Sequence, residues 1–214
     1  MPDHLEFIIV FGVWAAYSVV HSLTASLSSK NFVASRVPAF MPWYRVSFNV
    51  LALLLLALPV WITWAYAGEP LWRWGGLLRY VAWGLTGATV IAFVISMRYY
   101  DGMEFLGIRQ LSEGIRAVED QERLCISPFH HYVRHPWYSM ALVLIWCRDM
   151  DAATLSASLA ITLYFILGSR LEERKLLVYH GERYRRYLQR VPGLIPLPWR
   201  YLDSESAREL ERSG

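Results

Sequence analysis

The sequence predicts an all-α integral membrane protein with five transmembrane helices, and two observations support this fold class. First, 55% of the 214 residues are hydrophobic and 18% are charged, whereas about a quarter of the residues are charged in soluble globular chains. Second, a helix needs roughly 20 apolar residues to cross the hydrocarbon core, and four segments of 23, 23, 18 and 18 residues carry no charge. These segments are Phe7–Ser29, Val46–Gly68, Tyr80–Met97 and Ala152–Ser169.

The predicted fourth helix is shorter than the others. Pro136–Cys147 has only 12 uncharged residues, and it forms a predicted hairpin with the Ala152 segment through the turn Arg148–Asp151. At about 1.5 Å per residue such a helix reaches only about 18 Å. Its start, Arg134-His135-Pro136, is therefore expected to lie below the membrane surface inside protein. Pro136 suits the first turn of a helix, and ionisable groups at membrane depth are candidates for function.

Basic residues are distributed unevenly between alternate loops. Segments 28–45, 98–135 and 170–214 hold 18 of the 21 Lys and Arg residues. The three that remain are Arg73, Arg79 and Arg148. Because cytoplasmic loops are enriched in Lys and Arg, this asymmetry predicts an N-terminus outside and a basic C-terminal tail in the cytoplasm.

Composition also argues against several function classes. A net charge of +3 is too small to indicate nucleic-acid binding, since apolar spans interrupt the basic groups. The two cysteines, Cys125 and Cys147, lie in segments of different kinds, which supports neither a disulfide framework nor a CxxC metal site. No Rossmann-type GxGxxG loop is present. We therefore expect no nucleic-acid partner and no metal.

A second polar element follows the last predicted span. Glu172 and Glu173 stand at the membrane boundary among basic residues, and a continued helix would align a stripe of polar and aromatic side chains that Gly181 interrupts. The stripe comprises Glu173, Leu176, His180, Tyr184 and Tyr187. Prolines at 192, 196 and 198 then predict a chain that folds back as a cytoplasmic C-terminal cap. Each element alone is also typical of a solvated helix end; their joint placement favours a polar pocket open to the cytoplasm.

Two motifs within residues 124–198 carry a family resemblance. "VRHPWY" matches RHPxY, and "EERKLLVYHGERYRRYLQRVPGLIP" matches EExxL-x4-G-x2-Y-x2-Y-x3-VP-x2-IP. Together they resemble the isoprenylcysteine carboxyl methyltransferase superfamily, a group of integral-membrane, S-adenosyl-L-methionine-dependent enzymes. That superfamily also contains bacterial thiol methyltransferases and phospholipid N-methyltransferases. "HSLTASLSSK" and "YDGMEFLGIRQ" are similar to its bacterial thiol-methylating members, which implies a bacterial inner-membrane location.

The resemblance implies roles for particular residues. The residues implied to bind S-adenosyl-L-methionine are Tyr132, His135, Pro136, Trp137, Tyr138 and Glu173. Four residues are implied to be catalytic: Glu172 and Glu173 would bind the cofactor or orient the acceptor, and Arg170 or Arg134 would face the acceptor side. Residues 124–200 then form the cofactor-binding and catalytic region of a single membrane domain, 1–214. Residues 1–123 carry helices one to three with a cytoplasmic connection, and 201–214 form a polar tail.

The chain departs from the family pattern at two places that border the expected pocket. Ser127-Pro128-Phe129 replaces the usual Gly-Pro-Tyr, and Met140 replaces the glycine that commonly follows RHPxY. The acceptor is therefore expected to differ from that of the better-known members. Tyr132 is the candidate replacement for the missing tyrosine.

The expected acceptor is a thiol, either small or lipophilic, that enters from the lipid bilayer. Carboxyl O-methylation of isoprenylcysteine and N-methylation of a phospholipid stay open as alternatives. Two further alternatives lie outside this chemistry, namely a non-catalytic membrane protein and a haem protein that uses His21 and His135 as ligands.

Overall fold

The computed structural model describes residues 3–116 and 126–212, so Cys125 lies outside the described residues. The described part is helical, which confirms the all-α prediction, and its β-structure is limited to two isolated bridges. The α-helices are α1 (Asp3–Ala25), α2 (Leu27–Arg36), α3 (Met41–Ala65), α4 (Gly76–Ser96), α5 (Gly102–Leu106), α6 (Ile108–Ser112), α7 (Pro136–Trp146), α8 (Ala152–Arg190) and α9 (Ser204–Arg212). Short 3-10 turns cover Pro38–Phe40, Met97–Tyr99 and Pro128–His131.

Among the described residues, four helical segments are long and apolar enough to cross a membrane. They are His4–Ala25, Pro38–Ala65, Gly76–Tyr99 and Ala152–Arg190. Helix α7 is apolar but has only 11 residues, which corresponds to about 16 Å. The prediction of a membrane protein therefore agrees with the structure, while the count of five spans stays a prediction.

The long helices carry large apolar side chains on their outer surfaces. Leu53, Trp64 and Leu77 are 70%, 76% and 78% exposed. So many exposed large apolar side chains along single helices are unusual on soluble proteins, because each exposed side chain forgoes the free energy of leaving water. Such a surface is typical of helices that face lipid.

The chain divides into two compact units, and the first comprises Met1–Arg73, Tyr100–Gln121 and Asp149–Ile161. Within it, the Trp14 indole on α1 donates to Thr63 Oγ1 on α3 at 2.9 Å. The start of α8 packs on α1, where Ser156 Oγ donates to the Phe7 carbonyl at 2.7 Å. These partners offset the cost of burying a hydroxyl or an indole N–H group in an apolar core.

Helices α5 and α6 lie close against α3 in the same unit. Asp101 caps α5 by accepting from the backbone N–H groups of Met103 and Glu104. Gly107 separates the two helices at φ +85°, and a Cβ there would lie 2.8 Å from the Val46 nitrogen. Both the positive φ and the close approach of backbone require glycine at this position.

The second unit comprises Trp74–Tyr99, Glu122–Arg148 and Thr162–Gly214. Helix α7 is fixed against α4 by the Trp137 indole, which donates to Ser96 Oγ at 2.8 Å. It is fixed against α8 by the Trp146 indole, which donates to Thr162 Oγ1 at 3.0 Å. The start of α7 is thereby held beside the middle of α8.

Beyond its apolar part, α8 continues into a polar half with its own core. Gly181 breaks the helical geometry at φ 52°, ψ −130°, which confirms the predicted interruption. Tyr184 and Tyr187 are 1% and 2% exposed and pack with residues of the C-terminal segment. That segment, predicted as a polar tail, contains α9 and buries an apolar face of the helix. The buried residues are Leu202, Ala207 and Leu210.

Candidate active site

The candidate site lies in the second unit, where the start of α7 meets α8. His135 immediately precedes α7 and is buried. Its Nε2 lies 3.0 Å from Glu173 Oε1, and its Nδ1 lies 3.5 Å from Glu172 Oε2. One imidazole ring therefore bridges two neighbouring carboxylates, which the sequence predicted to share a pocket with it.

Arg134 completes this polar cluster. Its Nε donates to Glu173 Oε1 at 2.7 Å, and the two side chains are 13% and 16% exposed. Glu173 Oε1 thus accepts from both Arg134 and His135. A mostly buried carboxylate needs such charge-assisted partners, because an unpaired charge would be costly to bury.

Aromatic rings extend the site along α7 and α8. The Tyr138 ring stacks on His135 with centroids 5.4 Å apart and on Phe165 with centroids 4.8 Å apart. The Tyr138 hydroxyl also donates to Glu172 Oε2 at 3.3 Å. Sequence reasoning missed Phe165. A signal was available, since Phe165 precedes Glu172 by seven residues, two helical turns on the same face.

Each carboxylate uses only one of its oxygens within the described residues. The contacts of Glu172 are made by Oε2, and those of Glu173 are made by Oε1. Glu172 is also 47% exposed on its side chain. One oxygen of each acid is therefore available to a ligand, beside the stacked rings.

The charge of His135 follows from its surroundings. Burial opposes its protonation, but the hydrogen bonds to Glu172 and Glu173 outweigh burial and raise the pKa of His135 above its ordinary value. His130, five residues earlier, behaves in the opposite way, since burial and the neighbouring His135 lower its pKa to about 4. The backbone N–H of Ser127 donates to its ring at 3.2 Å, which requires an unprotonated Nδ1.

The turn that follows α8 is hydrogen-bonded to the segment that begins α7. The backbone N–H groups of Arg134 and His135 donate to the carbonyls of Pro192 at 2.8 Å and Gly193 at 3.2 Å, respectively. Ser139 Oγ donates to the Leu194 carbonyl at 2.6 Å. The prediction missed the contribution of Ser139, although the VP-x2-IP motif marks the turn that it binds.

The remaining predicted residues occupy different surroundings. Trp137 packs on α4, with its ring 5.4 Å from that of Phe93. Pro136 is buried at the first position of α7, whereas Tyr132 is 59% exposed and Arg170 is also exposed. The structure thus brings five of the predicted residues into one cluster and leaves these four at its margin or outside it. The five are Arg134, His135, Tyr138, Glu172 and Glu173.

Neither haem nor metal ligation is favoured by the described residues. The His21 ring packs on Tyr17 and Phe48, with centroids 5.8 and 5.1 Å apart, and both nitrogens of His135 face carboxylates. No group of three or more His, Cys, Asp or Glu side chains suited to a metal ion occurs at residues 3–116 or 126–212. Paired carboxylates beside stacked aromatic rings instead suit a positively charged organic ligand.

Comparison with known proteins finds related sequences of one name. A methanethiol S-methyltransferase of a Pseudomonas species is 30% identical over 188 residues, which cover 84% of this chain and 69% of the relative. Methanethiol S-methyltransferase 2 of Bradyrhizobium diazoefficiens is 29% identical, with 84% and 69% covered. Methanethiol S-methyltransferase of Mycobacterium tuberculosis is 27% identical, with 91% and 78% covered. No family model and no solved structure matches the chain.

Proposed function

Because the chain belongs to the methanethiol S-methyltransferase family, we propose that it transfers a methyl group from S-adenosyl-L-methionine to methanethiol or a similar small thiol. The cofactor, when bound, supplies an electrophilic methyl group on a sulfonium sulfur. With methanethiol the products are dimethyl sulfide, S-adenosylhomocysteine and the proton of the thiol. Membership of this family supports thiol methylation as the reaction.

The observation that carries the proposal is the juxtaposition of the two motifs. His135 and Tyr138 come from the first motif, and Glu172 and Glu173 come from the second, 34 or more residues later. They meet through polar contacts of 3.0 to 3.5 Å. A methyl donor with sulfonium and ammonium groups fits this set, since it needs carboxylate acceptors and an aromatic face.

The residues of the cluster have distinct tasks in this proposal. Glu172 and Glu173 hold the positive charge of the cofactor through the oxygens that the protein leaves available. Tyr138, whose ring stacks on both His135 and Phe165, orients Glu172 through its hydroxyl group. His135 holds the two carboxylates in place and is not a base, since both of its nitrogens face them. Alignment and exclusion of water then supply most of the acceleration.

The acceptor reacts as a thiolate, because the thiol form is a poor nucleophile. The exposed Arg170 lies one turn before Glu173 on α8 and is the candidate for stabilising this anion. Replacement of Arg170 by Gln should therefore lower turnover more than cofactor affinity. Arg174→Gln, which removes an exposed charge from the same helix, is the matched control. The opposite pattern, lost affinity at normal turnover, would reassign Arg170 to the cofactor.

The membrane setting is proposed from the four apolar helices and the loop charges. We place the N-terminus outside and the site on the cytoplasmic side of a bacterial inner membrane, where the cofactor is made. The small thiol dissolves in lipid and reaches the site from the bilayer. Reporter fusions at the two termini test this orientation, and a cytoplasmic N-terminus would contradict it.

A labelled-methyl assay tests the reaction itself. Protein in lipid nanodiscs receives methyl-labelled cofactor and methanethiol, and labelled dimethyl sulfide is measured in the headspace. Prenylated cysteine and phosphatidylethanolamine serve as competing acceptors. We expect methylation of the thiol, strong loss of activity in His135→Ala and normal activity in Glu182→Gln, whose carboxylate is 68% exposed on the same helix. Methylation of the carboxylate or amine in place of the thiol would overturn the proposal.

A further inference from the structure

Arg134 is bound on several sides by the protein itself. Its Nε donates to Glu173 Oε1 at 2.7 Å, and its Nη1 donates to the carbonyl oxygens of Leu188, at 3.2 Å, and of Val191. Its side chain is 13% exposed. A Cβ at Gly193 would lie 3.4 Å from its Nη2, so the turn after α8 also lies against the guanidinium. These contacts leave little of the guanidinium for a substrate.

The carbonyls that Arg134 contacts lie at the C-terminal end of α8: Leu188 is in its last turn, and Val191 follows it directly. The last carbonyl groups of a helix have no partner within the helix and need one from elsewhere. Arg200 serves the same helix end, since its Nη2 donates to the carbonyls of Leu188 at 3.3 Å and Gln189 at 2.8 Å. Of these two arginines, Arg134 also binds a carboxylate of the site. Both arginines therefore cap the helix end, and Arg134 in addition holds Glu173.

The contact with Glu173 determines which of its oxygens faces the protein. Oε1 accepts from Arg134 Nε at 2.7 Å and from His135 Nε2 at 3.0 Å. Two charge-assisted donors on one oxygen hold the carboxylate in a single rotamer. Oε2 is then left for a ligand, as no described residue donates to it.

We infer that Arg134 is a positioning residue: it fixes Glu173 against the end of α8 and does not bind the acceptor. This assignment differs from the acceptor-side role that the family resemblance implied for Arg134. It rests on the proposed function, because its consequence is measured as cofactor binding. Loss of Arg134 should free Glu173 to rotate and weaken the cofactor, while the thiol site stays intact.

The test compares Arg134→Gln with Arg200→Gln in the full chain. Each variant loses one arginine from the end of α8, and thermal melting checks that each is folded. Titration with S-adenosylhomocysteine should show affinity about tenfold or more weaker for Arg134→Gln and within about twofold of wild type for Arg200→Gln. The KM for methanethiol should be unchanged in both variants. Arg134→Lys, which keeps a cation near Glu173, should recover part of the lost affinity.

A double variant sharpens the assignment. Because Arg134 acts through Glu173, Arg134→Gln combined with Glu173→Gln should bind S-adenosylhomocysteine no more weakly than Glu173→Gln alone. Equal affinity of Arg134→Gln and wild type, or a raised methanethiol KM at normal cofactor affinity, would overturn the inference. Failure of the proposed function looks different, since wild-type protein itself would then bind no S-adenosylhomocysteine.

Discussion

The two units each contain a cluster of ion pairs, and the clusters differ in burial. In the first unit, Arg109 pairs with Asp101 and, at 3.5 Å, with Glu104, and these side chains are 44%, 36% and 30% exposed. In the second unit, Arg134 and Glu173 are 13% and 16% exposed, and the His135 side chain between the carboxylates is 5% exposed. We call these the outer cluster (Asp101, Glu104, Arg109) and the inner cluster (Arg134, His135, Glu172, Glu173).

The comparison shows why similar residue types have different consequences. An exposed ion pair contributes about 0–1 kcal/mol, because water and salt already screen its charges. Removal of one partner from a buried pair costs about 3–5 kcal/mol, because the other charge is left without compensation. Arg134, His135 and Glu173 of the inner cluster lie nearer the second case, whereas Glu172 is 47% exposed on its side chain. One oxygen of each carboxylate is also left without a donor among the described residues. Burial together with incomplete pairing, and not charge alone, is the reason why we propose the inner cluster as the site.

The largest expected effect comes from Glu173→Gln. The substitution keeps the shape of the side chain but removes the charge that Arg134 and His135 share. We expect affinity for S-adenosylhomocysteine to fall by well over tenfold, more than about 1.4 kcal/mol, without loss of the fold. Calorimetric titration measures it, with the exposed Glu182→Gln as control. Unchanged affinity in Glu173→Gln would remove the inner cluster from the cofactor site.

Backbone geometry should matter more than charge near the outer cluster. Gly107→Ala places a Cβ 2.8 Å from the Val46 nitrogen at a φ of +85°, which costs about 1–3 kcal/mol. Gly102→Ala is the matched control, since a Cβ there meets nothing within 4 Å. Thermal melting in detergent should show a lower midpoint for Gly107→Ala. Equal midpoints for the two variants would mean that α5 and α6 do not pack on α3 as described.

The shifted pKa values of two histidines in the second unit, His130 and His135, lead us to expect maximal stability of the fold near neutral pH. Burial alone would lower the pKa of His135, but Glu172 and Glu173 outweigh burial and raise the pKa above its ordinary value. Protonated His135 therefore stabilises the fold at pH values below its ordinary pKa, and this contribution is lost as pH rises through the raised pKa. The pKa of His130 is lowered to about 4 by burial, so stability is lost as pH falls from its ordinary pKa, about 6.5, towards 4.

Thermal melting measured on both the acidic and the alkaline side of neutral pH tests the contributions of His130 and His135 separately. His135→Gln should abolish the decline on the alkaline side, and His130→Gln should abolish the decline on the acidic side. An alkaline decline that persists in His135→Gln would show that another group causes it. Substitution of the outer cluster should leave the acidic and the alkaline loss of stability unchanged, because that cluster contains no histidine.

The parts of the fold that sequence could predict are those that local patterns determine. The uncharged run Ala152–Ser169 lies within α8, and Pro136–Cys147 corresponds to α7, Pro136–Trp146. Gly181 interrupts the helix because its backbone is not helical, and glycine is the residue that adopts a φ of 52° most readily. Helix α9 was missed, since its polar composition hides the two apolar residues that face the core, Ala207 and Leu210.

Five members of the candidate site were predictable from the sequence, but their pairing and the contacts of Phe165 and Ser139 were not. The predicted topology and the family resemblance placed His135 near the glutamates, yet nothing local indicates that Arg134 turns towards the carbonyl of Leu188. Contacts between residues 54 apart in the chain depend on how the turn after α8 folds back. Trp137 illustrates the same limit, because its hydrogen bond to Ser96 belongs to the packing of α7 on α4. Motifs identify which residues assemble, whereas tertiary packing decides which of them remain available to a ligand.

The smallest expected effect is that of Arg109→Gln in the outer cluster. Arg109 is 44% exposed, so the loss of its pairs with Asp101 and Glu104 should cost less than about 1 kcal/mol. The melting midpoint should shift by less than in Gly107→Ala, and the shift should shrink further when salt is raised, since ions already screen the exposed pair. Asp101→Asn removes the charge that pairs with Arg109 but keeps the helix cap, because the amide oxygen still accepts from the N–H groups of Met103 and Glu104. A large, salt-independent loss in Arg109→Gln would show that the outer cluster is buried by an interaction beyond its own unit, and its contrast with the inner cluster would then disappear.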